Sequence, residues 1–299
     1  MSSVNLKTAF YDAMFGTTGR GMNTLEKKAL ENVRGILNSP AKLSSHIRPL
    51  PVLLIQLLEL LKDPDTDYRE LSKLIQQDPS LATRVLRVVN SPLYRGRVEI
   101  LDLESAIGRI GIAGISSIAS AIMMEKVRPQ KPIYYKMFGR LIWVHSLHCA
   151  HLCRDYAAIS DADQFSGYFL GLIHDVGKII VFDCLNEALS SGILDGDPGS
   201  AVFKETMSEM SMDISTFVAR EWALPEEFAV ALEQQRMGPE TPLAKALLRA
   251  NACAEIYLLL ERGRLKEDDV DDLLEEADYD VDVWRKFQRA APEIATMVQ

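Results

Sequence analysis

The chain has only four cysteines in 299 residues, Cys149, Cys153, Cys184 and Cys253, with no CxxC pair among them. That spacing excludes a disulfide-stapled scaffold and suits a reducing compartment. No apolar run reaches the roughly 18 residues that a bilayer-spanning helix needs. The nearest, residues 111–124, is interrupted by Ser116, Ser117 and Ser120. The first residues also lack the basic stretch and apolar core of a leader. These absences predict a cytoplasmic protein with no membrane partner. Positive charge is in short supply too, with 33 Lys and Arg against 42 Asp and Glu, a formal charge of -9 and a pI near 5.2. This balance argues against a general nucleic-acid binder.

What is present is globular: 47% hydrophobic and 25% charged residues, enough to build a buried core. Ten acids crowd residues 267–282 (Glu267, Asp268, Asp269, Asp271, Asp272, Glu275, Glu276, Asp278, Asp280 and Asp282), so the rest of the chain is close to neutral. Such a cluster reads either as a solvated helix face or as a docking surface for a basic partner.

Strand-like alternation is missing and helical periodicity runs from end to end, which predicts an all-α fold. Leu50, Leu53, Leu54, Leu57, Leu58 and Leu61 mark one helix, ended by Asp63-Pro64-Asp65. Asp67 with Glu70 forms a capping-box pattern, and Asp78-Pro79 starts a further helix that stops at Asn90-Ser91-Pro92. Residues 102–110 and 112–127 read as two more helices parted at Gly111, which completes a five-helix bundle. The proline-rich segment 128–132 is the clearest linker. Beyond it, one long helix carries His145, Cys149 and Cys153 on its apolar stripe, with His148 and His151 toward a more polar flank. Further helices are expected at 162–184, 199–209, 213–222, 225–235 and 240–261, and two at 4–14 and 24–37. The glycine-rich segment 16–21 lacks the GxxxxGK[ST] pattern and reads as a connection.

The residues that bear on chemistry centre on His174-Asp175, at the end of the apolar run 168–173. Adjacent nitrogen and oxygen donors at the end of a buried segment point to a metal site, or to a pair in which the carboxylate fixes the imidazole tautomer. Lys178 either neutralises local carboxylates or lies at the surface. His145, Cys149 and Cys153 line one ridge at i, i+4 spacing, as soft ligands or as core residues. No serine has a GxSxG setting. Arg84, Arg87, Arg95, Arg97 and Arg109 form a modest basic patch or ordinary surface charge.

Longer motifs surround these residues. They run from Arg48-Pro49-Leu50-Pro51 through Leu74-Ile75-Gln76-Gln77-Asp78-Pro79-Ser80-Leu81 and Val88-Val89-Asn90-Ser91-Pro92-Leu93-Tyr94 to Ser105-Ala106-Ile107-Gly108-Arg109-Ile110-Gly111. Trp143-Val144-His145-Ser146, Gly171-Leu172-Ile173-His174-Asp175-Val176-Gly177-Lys178 and Trp222-Ala223-Leu224-Pro225 follow. Together they resemble the HDOD family, a divergent relative of the metal-dependent HD phosphohydrolases, over roughly residues 45–260. The resemblance implies a five-helix bundle at 46–128 packed against an HD-like helical domain at 132–262. Residues 1–45 and 263–299 would then be helical extensions.

By the same resemblance, two histidines and two aspartates hold a divalent ion in active HD enzymes, with iron, manganese, zinc or nickel as candidates here. His145, His174 and Asp175 match three of these positions. Asn251 stands at the fourth, where a neutral amide is a weaker ligand and no base. Asp197 and Asp213 are the acids that could compensate. Gln234 and Gln235 replace a histidine pair found in many relatives, which argues against a second ion.

The leading expectation is a non-catalytic module of bacterial signal transduction that contacts other signalling proteins and keeps a degenerate metal site. The alternative is a phosphohydrolase acting on a nucleotide or cyclic dinucleotide, with Lys178 near the phosphate. A weaker alternative is nucleic-acid binding through the first bundle.

Overall fold

The computed structural model describes residues 6–15, 19, 21–127, 133–190 and 199–297. Every regular element among them is helical. The linker at 128–132, Asp197 and most of the glycine-rich segment 16–21 lie outside the described residues.

The first bundle consists of α4 (Val52–Leu60), α5 (Tyr68–Gln76), α6 (Pro79–Val89) and α7 (Leu103–Met124). Its helices begin where side chains can satisfy the free amides of a first turn. Asp67 and Glu70 close a capping box on α5, and the Asp78 carboxylate accepts from the Ser80 and Leu81 amides at 2.9 and 3.1 Å. Within α7, Gly111 adopts φ 83°, a left-handed value that favours glycine, and bends the element into the two expected segments. Asn90 serves the turn after α6. Its amide donates to the Ile100 carbonyl at 2.8 Å, and its oxygen accepts from the Ile100 amide at 2.9 Å.

The second half is built on α8 (Ile133–Ile159), against which α9 (Gln164–Ile173), α10 (Val176–Ser190) and α13 (Pro242–Glu261) pack. Two helices complete this half, α11 (Ala201–Glu221) and α12 (Glu226–Met237). Two expectations need correction here. The helix expected at 162–184 is broken at His174-Asp175, and those expected at 199–209 and 213–222 are one continuous element, α11. Its serine- and methionine-rich middle has weak periodicity, but Met207, Met210, Ser211, Ile214 and Ser215 are all buried.

The halves share an apolar core, with α7 packed on α9, and side-chain hydrogen bonds also link them. The Trp222 indole N–H donates to the Arg48 carbonyl at 2.9 Å, which ties the Trp-Ala-Leu-Pro segment to the start of the first bundle. The Tyr94 hydroxyl meets His151 Nε2 at 3.2 Å.

The chain's two ends pack on the second half. The N-terminal segment forms α1 (Leu6–Phe15), α2 (Thr24–Leu37) and α3 (Pro40–His46), the last not anticipated. Phe10, Tyr11, Leu25, Ala29, Leu30 and Val33 share a core with α10 and α11. The Glu26 carboxylate, fully buried, accepts from the Gly199 and Ser200 amides, both at 2.8 Å. The acidic segment gives α14 (Glu267–Glu276) and α15 (Val281–Ile294). Val270, Leu273, Leu274, Trp284 and Phe287 point into the core and leave Asp269, Asp271, Asp272, Glu275 and Glu276 exposed.

His148 and His151, expected on a polar flank, are both buried, because α15 and the turn after α6 cover α8 on that side. His148 Nε2–H donates to the Ala291 carbonyl at 3.1 Å, with Tyr257 and Phe287 edge-on to its ring. Two helical stretches, Leu103–Val127 and Gln164–Asp183, are apolar enough by composition to cross a membrane, but the fold buries 61% and 89% of their most apolar windows. Their apolarity serves the core.

Burial drives His148 down from 6.5 to about 4, against the bond to Ala291, so the ring is neutral in the fold. The unfolded chain takes up its proton near 6.5. The stabilisation is therefore complete above that pH and is lost as pH falls toward 4. Urea unfolding should show free energy declining across this window, by up to about 1.4 kcal/mol per pH unit for each such ring. His148→Leu should flatten the slope; an unchanged slope would show that His148 is not part of the acid response.

Candidate metal centre

Three glycines decide how closely the site elements approach. A β-carbon on Gly171 would lie 2.7 Å from both Ala150 Cα and the Cys149 carbonyl oxygen, and one on Gly167 would lie 2.6 Å from Ala157 Cβ. With no side chain there, α9 lies directly on α8 and brings the His174 ring within 5.4 Å of the His145 ring, centroid to centroid. Gly177 packs the start of α10 against the Ser211 carbonyl, and its amide donates to Ser215 Oγ at 2.9 Å. The glycines of the Gly-Leu-Ile-His-Asp-Val-Gly-Lys motif are thus packing requirements on either side of the dipeptide.

His145 from α8, His174 and Asp175 from the α9–α10 junction, and Asn251 from α13 meet at one point. Asn251 Oδ1 lies 3.1 Å from His145 Nε2 and 3.0 Å from His174 Nε2. Each ring's Nε2 is also 3.3 Å from an Asp175 oxygen. His145, His174 and Asp175 form the group of possible metal ligands among the described residues. Cys149 and Cys153 are not in it; both are buried thiols, with burial pushing their pKa values up. Asp213 pairs with Arg236 at 3.0 Å near the surface and is no substitute for the missing aspartate. Gln234 and Gln235 are engaged in holding backbone, the first accepting from the Glu240 and Thr241 amides and the second donating to the Ala231 and Ala244 carbonyls.

The donor set fits one divalent ion. His174 Nδ1–H donates to the Gly171 carbonyl at 2.7 Å, which leaves the Nε2 lone pair directed at two oxygens, Asn251 Oδ1 and Asp175 Oδ1. Lone pairs converging in a buried space repel unless a proton or a cation lies between them. Burial lowers the pKa of both rings and so disfavours a second proton on His174, whose Nδ1 already carries one. Two imidazoles, a carboxylate and an amide oxygen suit iron, manganese, zinc or nickel. His145 Nδ1, however, is buried without a hydrogen-bond partner, so this ring lacks the support that His174 has.

Lys178, expected beside carboxylates or at the surface, is buried and lies 2.7 Å from Asp175 Oδ2 and 4.0 Å from Glu255 Oε1. Its ammonium stands 4.3 Å from the Phe10 ring centre, so α1 roofs the ion pair. Burial works against the Asp175 carboxylate, but His174, Lys178 and His145 outweigh it and hold the group below the usual range. Burial pushes Glu255 up to about 8 despite Lys178.

Glu255 and Phe10 escaped the sequence reading. The signal for Glu255 was a lone acid one turn after Asn251, within an otherwise apolar stretch of α13. A cavity of about 830 Å³ opens beside His174, Asp175 and Asn251. Carboxylates outnumber lysines and arginines in its wall. The arginines of the first bundle lie elsewhere. Arg84 pairs with Glu125 at 2.6 Å, and Arg109 donates to the Val98 carbonyl.

The HDOD domain family model matches residues 47–237 of the chain. An uncharacterised protein of Treponema pallidum (strain Nichols) is 24% identical over an alignment of 214 positions that covers 68% of this chain and 40% of that protein. The chain thus spans less than half the length of that relative. A crystal structure from Shewanella amazonensis SB2B, provisionally described as a metal-dependent phosphohydrolase, has a TM-score of 0.64 at 18% identity. The match covers 91% of this chain and all of the other. A Marinobacter aquaeolei VT8 protein, provisionally described as a signal transduction protein, gives 0.59 at 17% identity over 99% of this chain and 67% of its own. At such identities the likeness is one of fold.

Lys178→Met should leave Asp175 as a buried charge without its cation and cost about 3–5 kcal/mol of unfolding free energy. Urea denaturation at neutral pH measures this; a loss below about 1 kcal/mol would show that the ammonium does not carry that role.

Proposed function

This chain belongs to the HDOD domain family, and on that premise we propose that it is a regulatory module of bacterial signalling. In this reading it acts through contacts with other proteins and holds one divalent ion without turning over a substrate. The observation that carries it is the amide of Asn251 facing both histidines. Hydrolysis at such a centre needs an ion charged enough to activate water and a base to take the proton. Asn251 brings neither charge nor basicity, and Asp175 already shares its charge with Lys178. Glu255, the buried carboxyl one turn after Asn251, is pushed up to about 8 and is mostly protonated at neutral pH. The cavity wall carries no surplus of positive charge for a polyphosphate. Output would be delivered in trans, with the exposed acids of α14 as one surface open to a basic partner.

One observation favours the phosphohydrolase reading. A cavity large enough for a nucleotide adjoins the donor cluster, with Glu255 in its wall, and a carboxyl tuned upward is suited to protonating a leaving group.

The two readings separate in one experiment. Tag-free protein prepared without chelator should contain close to one equivalent of iron, manganese, zinc or nickel. It should release no product above buffer from bis(p-nitrophenyl) phosphate or a cyclic dinucleotide in added Mn²⁺. Turnover that His174→Ala abolishes would replace the regulatory reading with the enzymatic one.

A further inference from the structure

The geometry points to Glu255 as a positioning residue that turns the amide oxygen of Asn251 toward the metal position; this rests on the single-ion reading given above. A side-chain amide has one oxygen and one NH₂ group, and a half-turn exchanges them with little change in shape. Only the oxygen can ligate. An aspartate in the same place would need no such orientation, since both its oxygens are donors. The replacement of that aspartate by an amide therefore creates a need for a second group that selects the orientation.

Glu255 meets this need. It lies one turn after Asn251 on α13, is buried, and accepts a hydrogen bond from the Asn251 side chain. With the NH₂ committed to Glu255, Oδ1 is left 3.1 and 3.0 Å from the two imidazole Nε2 atoms. Glu255 is itself held by Lys178, 4.0 Å away, which is 2.7 Å from Asp175. A chain of polar contacts thus runs from Asp175 through Lys178 and Glu255 to Asn251 and closes around the metal position. Glu255 does not ligate in this arrangement. It acts through the amide.

A double-mutant cycle read by calorimetric titration of tag-free, metal-stripped protein with Ni²⁺ tests this. Glu255→Met in the wild-type background should weaken Ni²⁺ binding by about tenfold to a hundredfold, the range for loss of a group that orients a ligand. In the Asn251→Asp background the same substitution should cost less than about threefold, because a carboxylate cannot be turned the wrong way round. A merely structural role would give equal losses in both backgrounds, and that result overturns the inference. Should Glu255→Met fail to fold by circular dichroism, Glu255→Asp, which retracts the carboxyl by one methylene, carries the same comparison. Wild-type protein that binds Ni²⁺ while Glu255→Met binds equally well removes Glu255 from the site and leaves the single-ion reading standing. Wild-type protein that takes up no Ni²⁺ removes the single-ion reading and this inference with it.

Discussion

The contact between α8 and α9 governs much of what this molecule can do. Gly167 and Gly171 stand one turn apart where α9 rests on the backbone of α8, so the helices lie closer than side chains would permit. That approach fixes the distance between two histidines on different helices, and it buries the junction at which Asp175 leaves α9. The glycines that make the contact carry no chemistry of their own. They convert a hydrophobic packing surface into a site where polar atoms must find partners inside the protein.

Once these groups are buried, charge has to be balanced within the core. Asp175 is balanced by Lys178, and Lys178 is enclosed by Phe10 and Tyr11 from the opposite end of the chain. The site therefore depends on segments more than 160 residues apart in sequence. Removing the lysine from such an arrangement is costly because it leaves a buried carboxylate without its cation, although the pair adds little net stability over an apolar replacement. The arrangement favours one defined geometry.

Local signals in the sequence were read correctly where the physics is local. The caps at Asp67 and Asp78 and the bend at Gly111 follow from what neighbouring backbone amides and a left-handed φ require. The meeting of His145, His174 and Asp175 was legible through motif likeness. What could not be read depended on distant partners. The burial of His148 is imposed by Ala291 and Phe287, and that of His151 by Tyr94. The continuity of α11 comes from methionines and serines whose inward face becomes apparent only when α1, α2 and α10 pack on it. Glu255 was hidden because an isolated acid in an apolar helix resembles a surface position until the helix proves to be buried on that side.

The family match ends at residue 237, whereas Asn251 and Glu255 belong to α13, which begins at Pro242. It begins at residue 47, whereas Phe10 belongs to α1. The stretch matched by the family model therefore holds two histidines and an aspartate, whereas Asn251 and Glu255 beside them and Phe10 over Lys178 lie outside it. In this chain the motif supplies the ligands, and groups from outside the matched stretch set what faces them.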